Sequence, residues 1–274
     1  MTTTKIEWAQ RTWQPVIGCT PVTAGCENCY AAREASGRLR NLPQYRGLAD
    51  RGRWTGEVRL RPEVLDEPTR WRKPRRVFVC PRADLFHEKV PFEFIDRVLL
   101  TMTRSLQHQF LLLTKRPRTA VVYYERWLMA NCCAVTVPEN VWLGVSMENP
   151  TIAAARMRPL IQAGVARRYV SFEPALGSVN WFDVLGARRV IDWLIVGGES
   201  GPGARECRVE WIDAAVDACK TVGVPIFVKQ TGTVLARELG LSSRRGDEPS
   251  EWPIPLQQRW LRQYPAALDF PKGG

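Results

Sequence analysis

The sequence predicts an α/β protein, a full or partial parallel (β/α) barrel with a cysteine loop after its first strand. Short β-branched or aromatic runs alternate with segments of helical apolar spacing, as in βαβ units. Several runs, Phe110-Leu111-Leu112-Leu113 and Trp193-Leu194-Ile195-Val196 among them, are apolar throughout, which suits strands covered on both faces of a parallel sheet. Nearly every run is followed at once by charged or glycine-rich residues, and in such a barrel all strand ends open on one rim.

In chain order, the first strand is expected at 13–17, ending at Gly18 and the cysteine loop, with a helix over 29–38. A short run at 58–60 precedes a strand at 77–80, which leads to Arg82 and Asp84, and a helix over 91–105 follows. The run 110–114 ends at Lys115 and Arg116 before a helix at 119–130, and 141–145 ends at Ser146 and Glu148 before a helix at 151–163. The strand at 169–172 ends at Glu173, and that at 193–196 ends at Gly197 to Ser200, ahead of a helix over 209–221. The run 226–229 closes on Lys229 and Gln230. Residues 1–232 thus read as one barrel domain with an Arg- and Gly-rich insertion at about 39–56, and 233–274 as a loosely structured C-terminal extension.

Composition narrows the function. The chain has 274 residues, 45% of them apolar, and a formal net charge of +11 carried mainly by arginine. Clustered cations gain affinity for phosphates by releasing condensed counterions, so a nucleic acid or nucleotide is the expected anionic partner, a basic but solvated surface being the alternative. No apolar run is long enough for a membrane helix, and Met1 to Gln10 lacks the apolar core of a secretory signal, so a cytoplasmic location is expected. Two histidines leave little room for histidine chemistry. Eight cysteines scattered over a chain with no export signal argue against a disulfide framework.

Three of those cysteines stand together as Cys19-x6-Cys26-x2-Cys29, directly after the first strand and at the start of a helix. Three thiolates meet there with no second paired knuckle, so one iron of an iron–sulfur cluster would stay open to a ligand; structural zinc and plain core cysteines are the alternatives. Gly18 and Gly25 let the backbone wrap closely around an inorganic core. Cys132, Cys133, Cys207 and Cys219 read as core or surface thiols, and Cys80 as the one extra cysteine able to face the rim.

The three-cysteine loop at the head of a parallel barrel resembles the radical S-adenosylmethionine superfamily, whose common spacing is Cys-x3-Cys-x2-Cys. Trp13-x-Pro15-Val16-x-Gly18-Cys19, Gly25-Cys26-x-Asn28-Cys29-Tyr30-Ala31, Asp84-Leu85-Phe86-His87, Leu113-Thr114-Lys115-Arg116-Pro117, Ser171-Phe172-Glu173-Pro174 and Val196-Gly197-Gly198-Glu199-Ser200-Gly201 resemble, in order, a phage and prophage three-cysteine family. More distantly, the order of motifs is similar to spore photoproduct lyase and its relatives. The resemblance implies a barrel of the radical S-adenosylmethionine type with a [4Fe-4S] cluster on Cys19, Cys26 and Cys29. Its open iron would bind S-adenosylmethionine, and one-electron cleavage would give a 5′-deoxyadenosyl radical. An electron-donor protein would be needed, in a bacterial host or a phage-infected cell.

Under that reading Asp84 is the candidate for the cofactor ammonium, Lys115 for its carboxylate and Ser146 for a ribose hydroxyl, with Gly197 and Gly198 allowing close backbone approach. The plain competitors are that Asp84 caps the next helix or pairs with an arginine, that Lys115 pairs with an acidic residue, and that the glycines form a tight turn. Glu173, Glu199 and Lys229 are the candidate catalytic residues on the substrate side. Arg51, Arg53, Arg72 and Arg75 are expected to form one basic rim for nucleic acid, with Trp54 and Trp71 available to stack on bases. The expected function is modification or repair of a nucleic-acid base or nucleotide, with phage DNA modification favoured. A non-catalytic nucleic-acid-binding protein with a structural zinc on the three cysteines is the alternative.

Overall fold

Seven parallel strands, hydrogen-bonded in sequence order, curl into a half-barrel. The computed structural model describes residues 4, 6–130, 137–186 and 189–270; Cys132 and Cys133 lie outside them. The strands are β1 Arg11–Trp13, β2 Val16–Ile17, β3 Ala49–Asp50, β4 Arg53–Trp54, β5 Arg59–Leu60, β6 Arg76–Val79, β7 Gln109–Thr114, β8 Val141–Ser146, β9 Arg167–Phe172, β10 Trp193–Gly197 and β11 Ile226–Gln230. The helices are α1 Tyr30–Ser36, α2 Phe92–Thr103, α3 Pro117–Ala130, α4 Pro150–Gln162, α5 Trp181–Leu185, α6 Val209–Val222, α7 Thr233–Glu238 and α8 Ile254–Arg259.

The main sheet has the order β1-β6-β7-β8-β9-β10-β11. Each pair in it is parallel, so every strand ends on the same edge. Local chemistry sets the element boundaries: the Asn149 side chain caps α4 by accepting from the Ile152 N–H at 3.0 Å, and α6 stops at Gly223 in the left-handed conformation.

Alternation along the strands divides the core in two. Val79, Phe110, Leu112, Leu143, Val145, Val170, Phe172, Leu194 and Val196 face the helices, whereas Phe78, Leu111, Trp142, Tyr169, Trp193, Ile195 and Phe227 form a separate cluster on the inner face. The inner cluster is closed near the strand starts. Trp8 lies 4.6 Å from Phe78 and 6.2 Å from Trp193, between ring centroids, and Tyr264 lies 5.6 Å from Trp193. Arg76 stacks on Tyr264 at 4.2 Å and donates to the Leu268 carbonyl at 2.7 Å.

Two expectations need correction. The first strand is broken at Pro15, which has no N–H to give a ladder: β1 pairs with β6, β2 turns aside to pair antiparallel with β5, and the chain rejoins the sheet through a bridge between Gly18 and Ala83. The C-terminal segment is not loose. Trp252, Trp260 and Leu268 are buried, and the Val228 N–H donates to the Leu261 carbonyl at 2.8 Å, so the tail covers the β11 edge that would otherwise be unpaired.

Candidate active site

The cysteine loop stands at the strand ends and is tied to three of them. Gly18 has φ +88°, and a Cβ there would lie 2.2 Å from the Glu57 carbonyl oxygen, so only glycine fits the turn into the loop. Arg116, just past β7, donates to the Thr20 hydroxyl at 2.6 Å and approaches Cys19 Sγ at 3.7 Å. Thr23 donates to Glu148 past β8 at 2.8 Å, and Gly25 sits so close that a Cβ would come within 2.5 Å of that carboxylate. Asn28 donates to Glu199 past β10 at 3.0 Å and to the Gly203 carbonyl at 2.7 Å.

Cys19, Cys26 and Cys29 are free thiols and partly buried. Burial, helped by the charge of Asp84, pushes the Cys19 thiol up to about 12, and Arg116 offsets part of that rise. Among the described residues no three His, Cys, Asp or Glu side chains are grouped as a metal site. One short loop carries all three sulfurs, the donor chemistry of a three-thiolate set, and Arg116 places a cation beside the first of them.

Asp84 is committed within the protein. One of its oxygens accepts from the Phe86 N–H at 3.0 Å and from Thr114 Oγ1 at 2.8 Å; the other accepts from the Lys115 N–H at 3.0 Å and from Arg116 at 3.3 Å. This is the competitor reading, an arginine partner, and it makes Asp84 a tie between the ends of β6 and β7. Lys115 Nζ lies 3.7 Å from Glu148, again the plainer alternative. Ser146 is buried at the end of β8, with its carbonyl accepting from Arg156 at 2.6 Å.

The glycines after β10 serve the protein's own packing. A Cβ on Gly198 would lie 2.1 Å from the Thr231 carbonyl oxygen, and one on Gly197 would crowd Glu173 at 3.1 Å and Gln230 at 3.2 Å. Of the candidate catalytic residues, Glu199 is braced by Arg205, whose guanidinium donates to it at 3.0 and 2.7 Å and also reaches Glu27 at 2.9 Å and the Ala24 carbonyl at 2.9 Å. Burial alone would raise the Glu199 carboxyl, but the hydrogen bonds from Arg205 and Asn28 hold it below its usual value. Glu199 therefore fastens the cysteine loop to the loop after β10. Glu173 and Lys229 form a different pair, on the inner face, at 2.7 Å.

The four arginines do not share one rim. Arg51 and Arg53 flank Gly52, whose N–H donates to Ser36 at the end of α1, and they line a shallow cavity of about 510 Å³ with Asp50, Trp54 and Thr55. Arg72 and Arg75 precede β6, and the Arg75 carbonyl accepts from the first residue of β7, so both lie at the strand starts, on the opposite edge from the cysteines. Trp71 is covered by Arg11 at 4.2 Å, and Trp54 packs against the cluster of Ile17, Ala35, Tyr45 and Leu48. Cys80, Cys207 and Cys219 are buried.

Sequence reasoning missed the parts played by Arg116, Glu148 and Arg205. Glu148 is fully buried, with one oxygen shared among Thr23, Arg156 and Lys115 and the other without a hydrogen-bond partner among the described residues. Its signal was its place two residues past a strand end; Arg205, eight residues past the end of β10, carried none.

A family described as "Protein of unknown function (DUF5131)" matches residues 3–259. The chain belongs to that family. The match spans the whole half-barrel and the cysteine loop and reaches through α8, ending just before Leu261 and Arg262, which meet the β11 edge. No curated protein and no solved structure matches the chain.

Proposed function

We propose that the protein is a radical S-adenosylmethionine enzyme in which Cys19, Cys26 and Cys29 hold a [4Fe-4S] cluster, acting on a nucleic-acid base or nucleotide. The observation that carries the reading is the cysteine loop itself, fastened through Arg116, Glu148 and Glu199 over the polar ends of a parallel half-barrel. When bound, a reduced cluster supplies the electron that cleaves a carbon–sulfur bond of S-adenosylmethionine. Arg116 lowers the cost of gathering negative thiolates beside Asp84. Lys115 meets the cofactor's carboxylate and Ser146 a ribose hydroxyl, while Asp84, with both oxygens occupied, positions Lys115 and Arg116 in place of binding the ammonium itself. The apolar inner face below keeps water from the mouth.

Anaerobic reconstitution with iron and sulfide tests the proposal. The expected result is a brown protein with broad absorbance near ~400 nm, lost in each of Cys19→Ala, Cys26→Ala and Cys29→Ala, since zinc is colourless and redox-silent. On reduction with dithionite the loaded protein releases 5′-deoxyadenosine from S-adenosylmethionine. A colourless protein holding stoichiometric zinc on the same cysteines overturns the reading and leaves the non-catalytic binding protein.

A further inference from the structure

The Glu173 and Lys229 side chains occupy the inner face at the strand ends, apart from the ties that hold the cysteine loop. Tyr169, Ser171 and Glu173 follow one another at alternate positions and so share that face, and Lys229, two residues beyond Phe227 in β11, lies on the same inner face. One Glu173 oxygen accepts from Lys229 at 2.7 Å and the other from Ser171 at 3.1 Å. Both side chains remain partly open, Lys229 at 20% and Glu173 at 15%. The Tyr169 hydroxyl is buried, finds no hydrogen-bond partner among the described residues, and is close enough to feel the charge of Glu173.

The chemistry of this pair is specific. A carboxylate has about four lone-pair sites and an ammonium three N–H donors, so after their mutual bond each keeps capacity to spare. The pair is neutral overall, so an anion gains at Lys229 what it loses at Glu173, and a cation the reverse. What gains from both is an uncharged group with a donor directly beside an acceptor, each bond being charge-assisted. Gly197 leaves the approach clear, since any side chain there would crowd Glu173.

We infer that Glu173 and Lys229 form the substrate-recognition pair, reading the adjacent N–H and C=O of a lactam edge, as on a uracil, thymine or guanine base. This rests on the reading of the rim as the active site of a base-modifying enzyme and names its substrate class. Glu173 accepts from the ring N–H, Lys229 donates to the carbonyl, and Ser171 positions Glu173 by holding its second oxygen. Phosphate, where the base belongs to a polynucleotide, lies outside this neutral pair.

Calorimetry on the reconstituted protein tests the inference with uridine, N3-methyluridine, a short oligothymidylate and glycine as probes. Uridine and the oligonucleotide are expected to bind and N3-methyluridine, which has no ring N–H, to bind at least about tenfold more weakly. This comparison needs no variant. The Glu173→Gln/Lys229→Met double variant, which removes both charges together, is expected to lose uridine binding by a similar factor while keeping the absorbance of the metal centre. Binding of the oligonucleotide but not of uridine assigns the source of the base to a polynucleotide and supports the pair. Equal binding of uridine and N3-methyluridine overturns the inference, as does stronger binding of glycine, or no binding of either base probe at up to about 10 mM, well above usual substrate constants. Loss of the metal absorbance with uridine binding intact counts against the cluster alone.

Discussion

The two ends of the half-barrel are built from the same strands by opposite means. At the strand starts Trp8, Phe78, Trp193 and Tyr264 fill the space with rings, and a buried cation there, Arg76, is satisfied by backbone carbonyls and an aromatic face. At the strand ends the contacts are hydrogen-bonded and ionic, running from Asp84 through Arg116 to the cysteine loop and from Glu199 through Arg205 back to it. The floor gains its stability from area removed from water. The mouth is held by directional bonds, which fix atoms in place and leave a surface that a polar ligand can use.

Breaking the floor has the largest expected effect. Trp193→Ala removes a fully buried ring that touches Trp8, Tyr169, Phe227 and Tyr264, and is expected to cost about 3–5 kcal/mol in urea unfolding. A loss below that of any mouth variant would reverse the division between the two ends. Asp84→Ala comes next, at about 3 kcal/mol, because it removes a buried carboxylate from a half-buried arginine and leaves the buried Thr114 hydroxyl and the Phe86 and Lys115 N–H groups without their acceptor at once. That loss should be seen in protein free of any cofactor; unchanged stability there would return Asp84 to the role of a ligand waiting for its partner.

Glu199→Gln is expected to cost about 1–2 kcal/mol, since the amide still accepts from Asn28 but loses charge assistance from Arg205. Its pH dependence has a fixed sign. The folded carboxyl lies below its ordinary value of 4.5, so its contribution is complete above that value and is lost as pH falls through the lower, folded one. Unfolding titrated through this acid range should show a smaller decline for Glu199→Gln than for the parent; identical curves would remove Glu199 from the latch.

The smallest effect on stability is expected from the exposed arginines, within about 0.5 kcal/mol for Arg51→Glu with Arg53→Glu. Their separation from Arg72 and Arg75 gives a sharper test by binding. If a duplex enters at the mouth, reversing Arg51 and Arg53 should flatten the dependence of log affinity on log salt by about 0.9 for each phosphate that is no longer neutralised, and reversing Arg72 and Arg75 should leave it unaltered. Equal flattening by both pairs would place the nucleic acid along the side of the sheet.

Much of this architecture was legible because buried strands need unbroken apolar runs, and 110–113 and 193–196 have them. The turn of the first strand at Pro15 was also written in the sequence, in a residue with no N–H to donate. The C-terminal segment was harder: Trp252 and Trp260 are spaced among prolines and charges that read as coil, and their burial depends on the distant helix-facing core and on Asp213 of α6, to which the Trp260 indole donates at 2.7 Å. The state of Asp84 was readable only as an alternative, an arginine partner, because its saturation depends on Thr114 and Arg116 arriving within hydrogen-bond distance from another strand. The position of Arg72 and Arg75 followed from direction alone, since whatever precedes a parallel strand lies at its start.

The floor joins parts of the chain that are far apart in sequence. Arg76 reaches across 192 residues to Leu268, and the Tyr264 hydroxyl across 257 residues to the Glu7 carbonyl. Contacts of such separation bear the full entropy of closing the longest loops. The mouth latch between Asn28 and Glu199 spans 171 residues, and all its members precede Val209. During synthesis the latch can therefore form while the floor is still open, and a nascent chain with all seven strands outside the ribosome still shows Trp8, Phe78 and Trp193 to whatever binds exposed rings, until residues 260–268 emerge to cover them.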